Sequence, residues 1–170
     1  YIYNTTQNKF KIINSKSILP KMFALRNQLY FQEMDKGIFR MENGKPLLIS
    51  DNSVFKTNTI INIFLFGNKL LIETQDKGFF IYDSGTVSQW ETKGTSLINS
   101  LSVYSSMQLQ DGTFVLGTIG DGIYSISPNG AVDKHIDKRN GLQNNTVLSM
   151  FEDASQNIWL GLDNGVNLLS

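Results

Sequence analysis

Apolar residues along this chain fall in runs of four to seven, rich in Phe, Tyr, Ile and Leu and punctuated by Gly, Asn and Asp. Runs of this length and composition are too short for helices and read as β-strands. The last thirty residues show the pattern most clearly. After a loop at Gly141–Thr146 come an apolar run (Val147–Phe151), an acidic turn (Glu152–Asn157), a run led by Trp159, a turn at Asp163-Asn164-Gly165, and a last run (Val166–Leu169). Connections this short can reverse a strand but cannot carry it to a parallel neighbour, so the unit is an antiparallel meander.

The same unit recurs upstream. Turn glycines at 37, 78, 122 and 165 are spaced by 41, 44 and 43 residues. Each follows an apolar run, at Leu29-Tyr30-Phe31, Leu70-Leu71-Ile72, Phe114-Val115-Leu116 and Ile158-Trp159-Leu160. After three of them the chain turns again at Asn43-Gly44, Ser84-Gly85 and Asn129-Gly130. A period in the low forties with four short strands per unit predicts the blades of a β-propeller, whereas helical repeats of that length need apolar residues every three to four positions. A β-sandwich with coincidental spacing is the alternative.

The predicted architecture is all-β: a partial β-propeller of about four blades, each a four-stranded antiparallel meander. The tail of a preceding blade is expected at 1–19, with Tyr1–Tyr3 and Lys9–Ile13 as its strands. Blades follow at 20–50, 58–91 and 101–137, and an incomplete last blade lacking its fourth strand at 141–170. An isolated run of blades leaves an apolar flank at each end and a free strand edge. These residues are therefore expected to belong to a longer polypeptide or to pair with a second copy. In a third arrangement, ranked lower, Lys9–Ile13 pairs with the last blade to close a four-bladed ring.

Charge narrows the partners. Fifteen Lys and Arg balance fifteen Asp and Glu, so no net field draws in nucleic acid or an anionic membrane. Lys134, Lys138 and Arg139 form the densest basic group and read as a solvated blade edge. The longest apolar stretch, Ile60–Phe66, is interrupted by Asn62 and far shorter than the roughly twenty residues of a spanning helix, so no direct membrane insertion of this segment is expected. There is no cysteine and one histidine, His135, on an expected outer strand. No metal site, cofactor or nucleophile–histidine catalytic pair is expected within these residues.

Gly141-Leu142-Gln143-Asn144-Asn145-Thr146-Val147, then Glu152-Asp153, then Asn157-Ile158-Trp159-Leu160-Gly161 and Asn164-Gly165-Val166 resemble the two-component regulator propeller repeat. Its pattern is Gly-Leu-x-x-Asn-x-Val, an acidic pair, Gly-x-Ile-Trp-x-Gly-Thr and Gly-Leu. Gln156-Asn157 departs from the usual glycine, and Leu162 replaces the threonine. The third unit keeps Asp111-Gly112, Leu116-Gly117-Thr118 and Gly122-Ile123-Tyr124, while the first two keep mainly the turn glycine and the apolar runs. The resemblance implies a non-enzymatic, periplasmic sensor segment of a hybrid two-component histidine kinase from Bacteroides-like bacteria, in a ring of seven blades. It also implies a response to glycan breakdown products, with the kinase in other parts of the chain.

In a propeller, the loop between second and third strands and the loop leading into the first strand lie on one face. Asp35, Lys36, Gln75, Asp76, Lys77, Asp121, Asp163 and Asn164, with Asn58, Thr59, Asn144, Asn145 and Thr146, are thus expected around one mouth. Asp35, Lys36, Gln75, Asp76, Asp121, Asn144, Asn145 and Asp163 are the candidate ligand-binding residues, since many polar hydrogen-bonding groups suit an oligosaccharide. Glu152 and Asp153 could serve a glycosidase, but adjacent strand or turn residues point to opposite sides. Asp153 is better placed to accept N–H groups of its own turn. Trp159 could stack on a sugar, but its counterparts Tyr30, Leu71 and Val115 mark an inter-blade core position. A propeller glycan hydrolase or lyase, and a purely structural or protein-binding propeller, remain alternatives.

Overall fold

The computed structural model describes residues 2–11 and 21–170. Tyr1, the Ile12–Ile13 end of the expected Lys9–Ile13 strand, and Pro20 at the start of the first full blade lie outside them. The described chain is almost entirely antiparallel sheet. Strands β1 (Ile2–Asn4) and β2 (Lys9–Lys11) pair with each other. The lower-ranked arrangement, with this segment closing on the last blade, is therefore not the one adopted at Lys9–Lys11.

Three complete four-stranded meanders follow. The first is β3 (Met22–Leu25), β4 (Gln28–Glu33), β5 (Gly37–Glu42) and β6 (Lys45–Ser50). The second is β7 (Ile60–Phe66), β8 (Lys69–Thr74), β9 (Gly78–Asp83) and β10 (Thr86–Gln89). The third is β11 (Val103–Gln108), β12 (Phe114–Thr118), β13 (Ile123–Ile126) and β14 (Val132–Ile136). The last sheet has three strands, β15 (Val147–Glu152), β16 (Ile158–Leu162) and β17 (Val166–Leu169). The arrangement is the four-bladed propeller array that the repeat predicts.

The first strands β3, β7, β11 and β15 contact one another in turn and form the inner wall. Three of them carry a bulge at the same place, around Ile61, Tyr104 and Leu148. A bulge sharpens local twist, which suits a strand that must curve about an axis. The turn glycines are held to glycine by crowding as well as by φ. Gly37 (φ 121°) and Gly122 (φ 70°) leave no room for a Cβ, which would lie 2.0 Å from the Ser50 carbonyl oxygen and 2.1 Å from that of Ile136.

Apolar cores lie between blades. Leu70 and Ile72 face the first blade while Leu71 faces the third, so one strand feeds two cores. Between the second and third blades, Phe114 lies 5.1 Å from Phe64, 5.7 Å from Phe79 and 6.0 Å from Trp90, ring centre to ring centre. Two helices absent from the sequence reading complete the seams. In α1 (Ser53–Thr57), Asn52 caps the start by accepting from Val54 N at 3.0 Å, and Phe55 is fully buried between the first two blades. In α2 (Thr95–Ile98), Ile98 enters the seam between the second and third. Neither is long enough to show a helical period. No helix among the described residues is long and apolar enough to cross a membrane.

The outer flank of the last blade is bare. Phe151, Trp159 and Leu168 are cross-strand neighbours, 65%, 43% and 49% exposed. Their register counterparts in the second blade, Phe64 and Leu71, are 6% and 0% exposed under the third blade. Trp159 thus occupies the inter-blade position expected for it, and no blade among the described residues follows.

Candidate functional site

The turns between second and third strands and the connections leading into first strands do share one face, stitched by backbone bonds. Asp35 N donates to Lys56 O, Gln75 N to Thr59 O, Gly122 N to Asn145 O and Asp163 N to Thr146 O, at 2.8 to 3.0 Å. The expected rim exists, and several candidate side chains are spent in building it. Asn145 Oδ1 accepts from Lys138 N at 2.7 Å, and Asn144 Oδ1 accepts from Thr146 N at 2.8 Å. Asp76 accepts from the Ser102 hydroxyl at 3.1 Å, and Lys36 pairs with Glu33. Asp35, Gln75 and Asp163 keep side chains at least partly open to solvent. Asp35 lies in the first four-stranded blade and Asp163 in the three-stranded last one.

Asp121 joins a different group. It accepts from the Tyr124 hydroxyl at 2.5 Å, and His135 stacks on Tyr124 with ring centres 4.1 Å apart and places Nε2 2.8 Å from the Asp121 carbonyl oxygen. Ligand atoms of Asp121, His135 and Asp137 lie within 4.8 Å of one another. Arg139 answers Asp137, with its backbone N and Nε each at 2.7 Å, which holds the carboxyl below its usual range. The nearest carboxylate charge is already met by a guanidinium, so the trio is a self-paired network that pins the connection leading into the last blade. Tyr124 is pushed up to about 12 by burial and by Asp121.

Glu152 and Asp153 face apart, as adjacent residues should. Glu152 accepts from Gln110 N of the third blade at 3.0 Å. Asp153 accepts from Ser155 N at 2.8 Å, Asn157 N at 3.0 Å and Trp159 Nε1 at 2.9 Å. Those donors, the Trp159 indole first, pull its carboxyl down to about 2. The stability this contributes is present above the ordinary aspartate value and is lost as pH falls through about 2. Asp153→Ala is therefore expected to abolish part of the acid sensitivity between pH 4 and 2, read as the difference in thermal midpoint across that window. Equal slopes for the two proteins would contradict the assignment.

Two buried polar groups on second strands were not anticipated. Gln32 and Glu73, both fully buried, stand where the third and last blades have Gly117 and Gly161. At those glycines a Cβ would meet the Ser105 Oγ at 2.6 Å and the Ser149 Oγ at 2.4 Å. In the first blade, Gln32 instead reaches across the seam. Its Nε2 donates to Phe55 O at 2.8 Å and Asn58 O at 2.7 Å, and its Oε1 accepts from Ile60 N at 2.9 Å. In the second, Glu73 accepts from the Ser106 hydroxyl of the next blade, and its Oε1 has no hydrogen-bond partner among the described residues. Burial pushes its carboxyl up to about 8, against the opposing pull of Ser106 and of Lys21. Lys21 reaches from the start of the first blade to the next two, with Nζ 3.4 Å from Ile61 O and 3.3 Å from Tyr104 O, two of the three bulged residues. Counting back five residues from glycines 78 and 122 sets Glu73 opposite Gly117, the one signal that could have found it.

Residues 141–164 match the family model described as two component regulator propeller. A comparison with curated proteins finds no match. Among solved structures, the extracellular domain of BT4673 from B. thetaiotaomicron, described as a one component system, is 23% identical at a TM-score of 0.71, over 98% of this chain and 24% of that one. The extracellular domain of BT3049 from the same organism, described as a hybrid two component system, is 20% identical at 0.66, over 84% of this chain and 20% of that one. The computationally designed Ika4 protein is 15% identical at 0.63, over 93% and 94%. The chain thus spans a quarter or less of the two B. thetaiotaomicron domains. The last blade resembles a two component regulator propeller repeat over 141–164, in a propeller array whose earlier blades keep the same strand order, turn glycine and inter-blade packing.

Proposed function

We propose that these residues form part of the extracytoplasmic, non-enzymatic sensing propeller of a two-component signalling protein, and that the rim takes an oligosaccharide released by glycan breakdown. The observation that carries the reading is the repeat match at 141–164 on a fold shared with two bacterial sensor ectodomains. The bare row of Phe151, Trp159 and Leu168 supports continuation of the array, by further blades of the same polypeptide or by a second copy. The polypeptide is then periplasmic, and any kinase activity resides elsewhere in it. A ligand acts by binding one arrangement of the propeller and its neighbouring domain better than another.

A thermal-shift screen against oligosaccharides, with product analysis of each hit, tests this. A ligand at a hundred times its Kd adds about 2.7 kcal/mol, a rise of roughly 5–10 °C for a domain of this size. Stabilisation without turnover is the expected result, and turnover would favour the glycan hydrolase or lyase instead. Substitution of Asp35, Gln75 or Asp163 should reduce the rise, since these side chains are not spent in the rim's own hydrogen bonds.

A further inference from the structure

A concave polar surface lies away from the rim. Between the first and second blades, on the face opposite the rim, lies a cleft of about 370 Å3. Its mouth is formed by the β3–β4 and β7–β8 turns and its lining holds Arg26, Arg40, Lys69, Asn68, Tyr30 and Tyr82. Among the described residues, three cationic side chains line it and no carboxylate does. Two of the cations meet nearby acids: Asp83 pairs with Lys69 at 2.9 Å, and Glu42 sits 3.4 Å from Arg40 Nη2. Arg26 projects from a tight turn (φ 52°) and has no carboxylate partner among the described residues.

Arg40 is the informative member. It lies on β5 directly opposite Tyr30 on β4, and its Nε is buried with no acceptor among the described residues. That Nε is shut off from solvent, so an anion in the cleft would meet the Nη groups of this side chain, which is 36% exposed and whose fork geometry matches two oxygens. Arg139, the comparison within the same chain, has its Nε satisfied by Asp137. We propose that this cleft is a binding site for the anionic group, carboxylate or sulfate, of a small organic molecule whose body lies along Tyr30 and Tyr82. It is separate from the rim, and a ligand there would bridge the first two blades.

Arg26, Arg40 and Arg139 are the chain's three arginines, so their Nε–H resonances can be followed individually by 15N NMR. Titration with sodium sulfate and with sodium glucuronate should move the Arg40 signal saturably. Sodium chloride at equal ionic strength should not, and the Arg139 signal should stay in place. The salt that saturates at lower concentration identifies the preferred anion. Arg40→Lys keeps the charge but loses the fork and should weaken binding about tenfold or more. If that variant gives no dispersed spectrum, Arg26→Gln at the exposed turn should weaken binding several-fold. A linear response shared with chloride, or saturation unchanged in the variant that folds, overturns the proposal.

Discussion

Phe114→Ala is expected to lower the unfolding free energy by about 3–5 kcal/mol. Phe114 is 1% exposed and touches the rings of Phe64, Phe79 and Trp90, so its removal opens a cavity in the seam between the second and third blades. In a propeller such a seam is where each blade gains its burial, because a single meander cannot cover its own faces. A domain of ordinary stability holds about 5–15 kcal/mol in all, so this one change removes a large part of it. Phe151→Ala is the matched control. Phe151 is 65% exposed, and its loss should shift stability by about 0.5 kcal/mol or less. Urea unfolding followed by tryptophan fluorescence would report both, since Trp90 lies in the seam. A loss near that of the control would mean that the seam is not packed as described.

Glu73→Gln is expected to stabilise the protein at alkaline pH and to remove a component of its pH dependence. The folded chain keeps the Glu73 proton up to about 8, whereas an unfolded glutamate releases it near the ordinary value of 4.5. Between those values the unfolded state binds fewer protons than the folded one, so each step up in pH favours unfolding. The contribution is complete below about 4.5 and lost as pH rises through about 8, a total of the order of 5 kcal/mol. The amide does not titrate, and Gln32 shows that a glutamine can occupy this place with both ends of its amide bonded. Urea midpoints of both proteins at pH 5 and pH 8.5 measure the effect. The gap between them should widen at the higher pH, and an unchanged gap would mean that the carboxylate stays charged through contact with Lys21.

The strand pattern was legible because its causes are local. Turn glycines at 37, 78, 122 and 165, apolar runs before them and Asx residues beside them set the meanders to within one or two residues. Helices α1 and α2 were not legible, because five and four residues show no period and both earn their shape from Phe55 and Ile98 filling inter-blade seams. The rim was readable as a set of loops on one face. Which of its side chains remain open was not, because Asn145, Asp76 and Asp121 are claimed by neighbours up to twenty-six residues away.

Sequence by itself determined the repeat, the antiparallel meander and the likeness of 141–164 to a known propeller repeat. Those follow from turn chemistry and alternation within some forty residues. Only the tertiary structure decided that Glu73 lies buried between blades while Glu152 is partly open to solvent, that Lys21 reaches the second and third blades, and that Arg40 lines a cleft. Each depends on which neighbour a blade face meets, and the distance between those partners in space is not encoded in their separation along the chain.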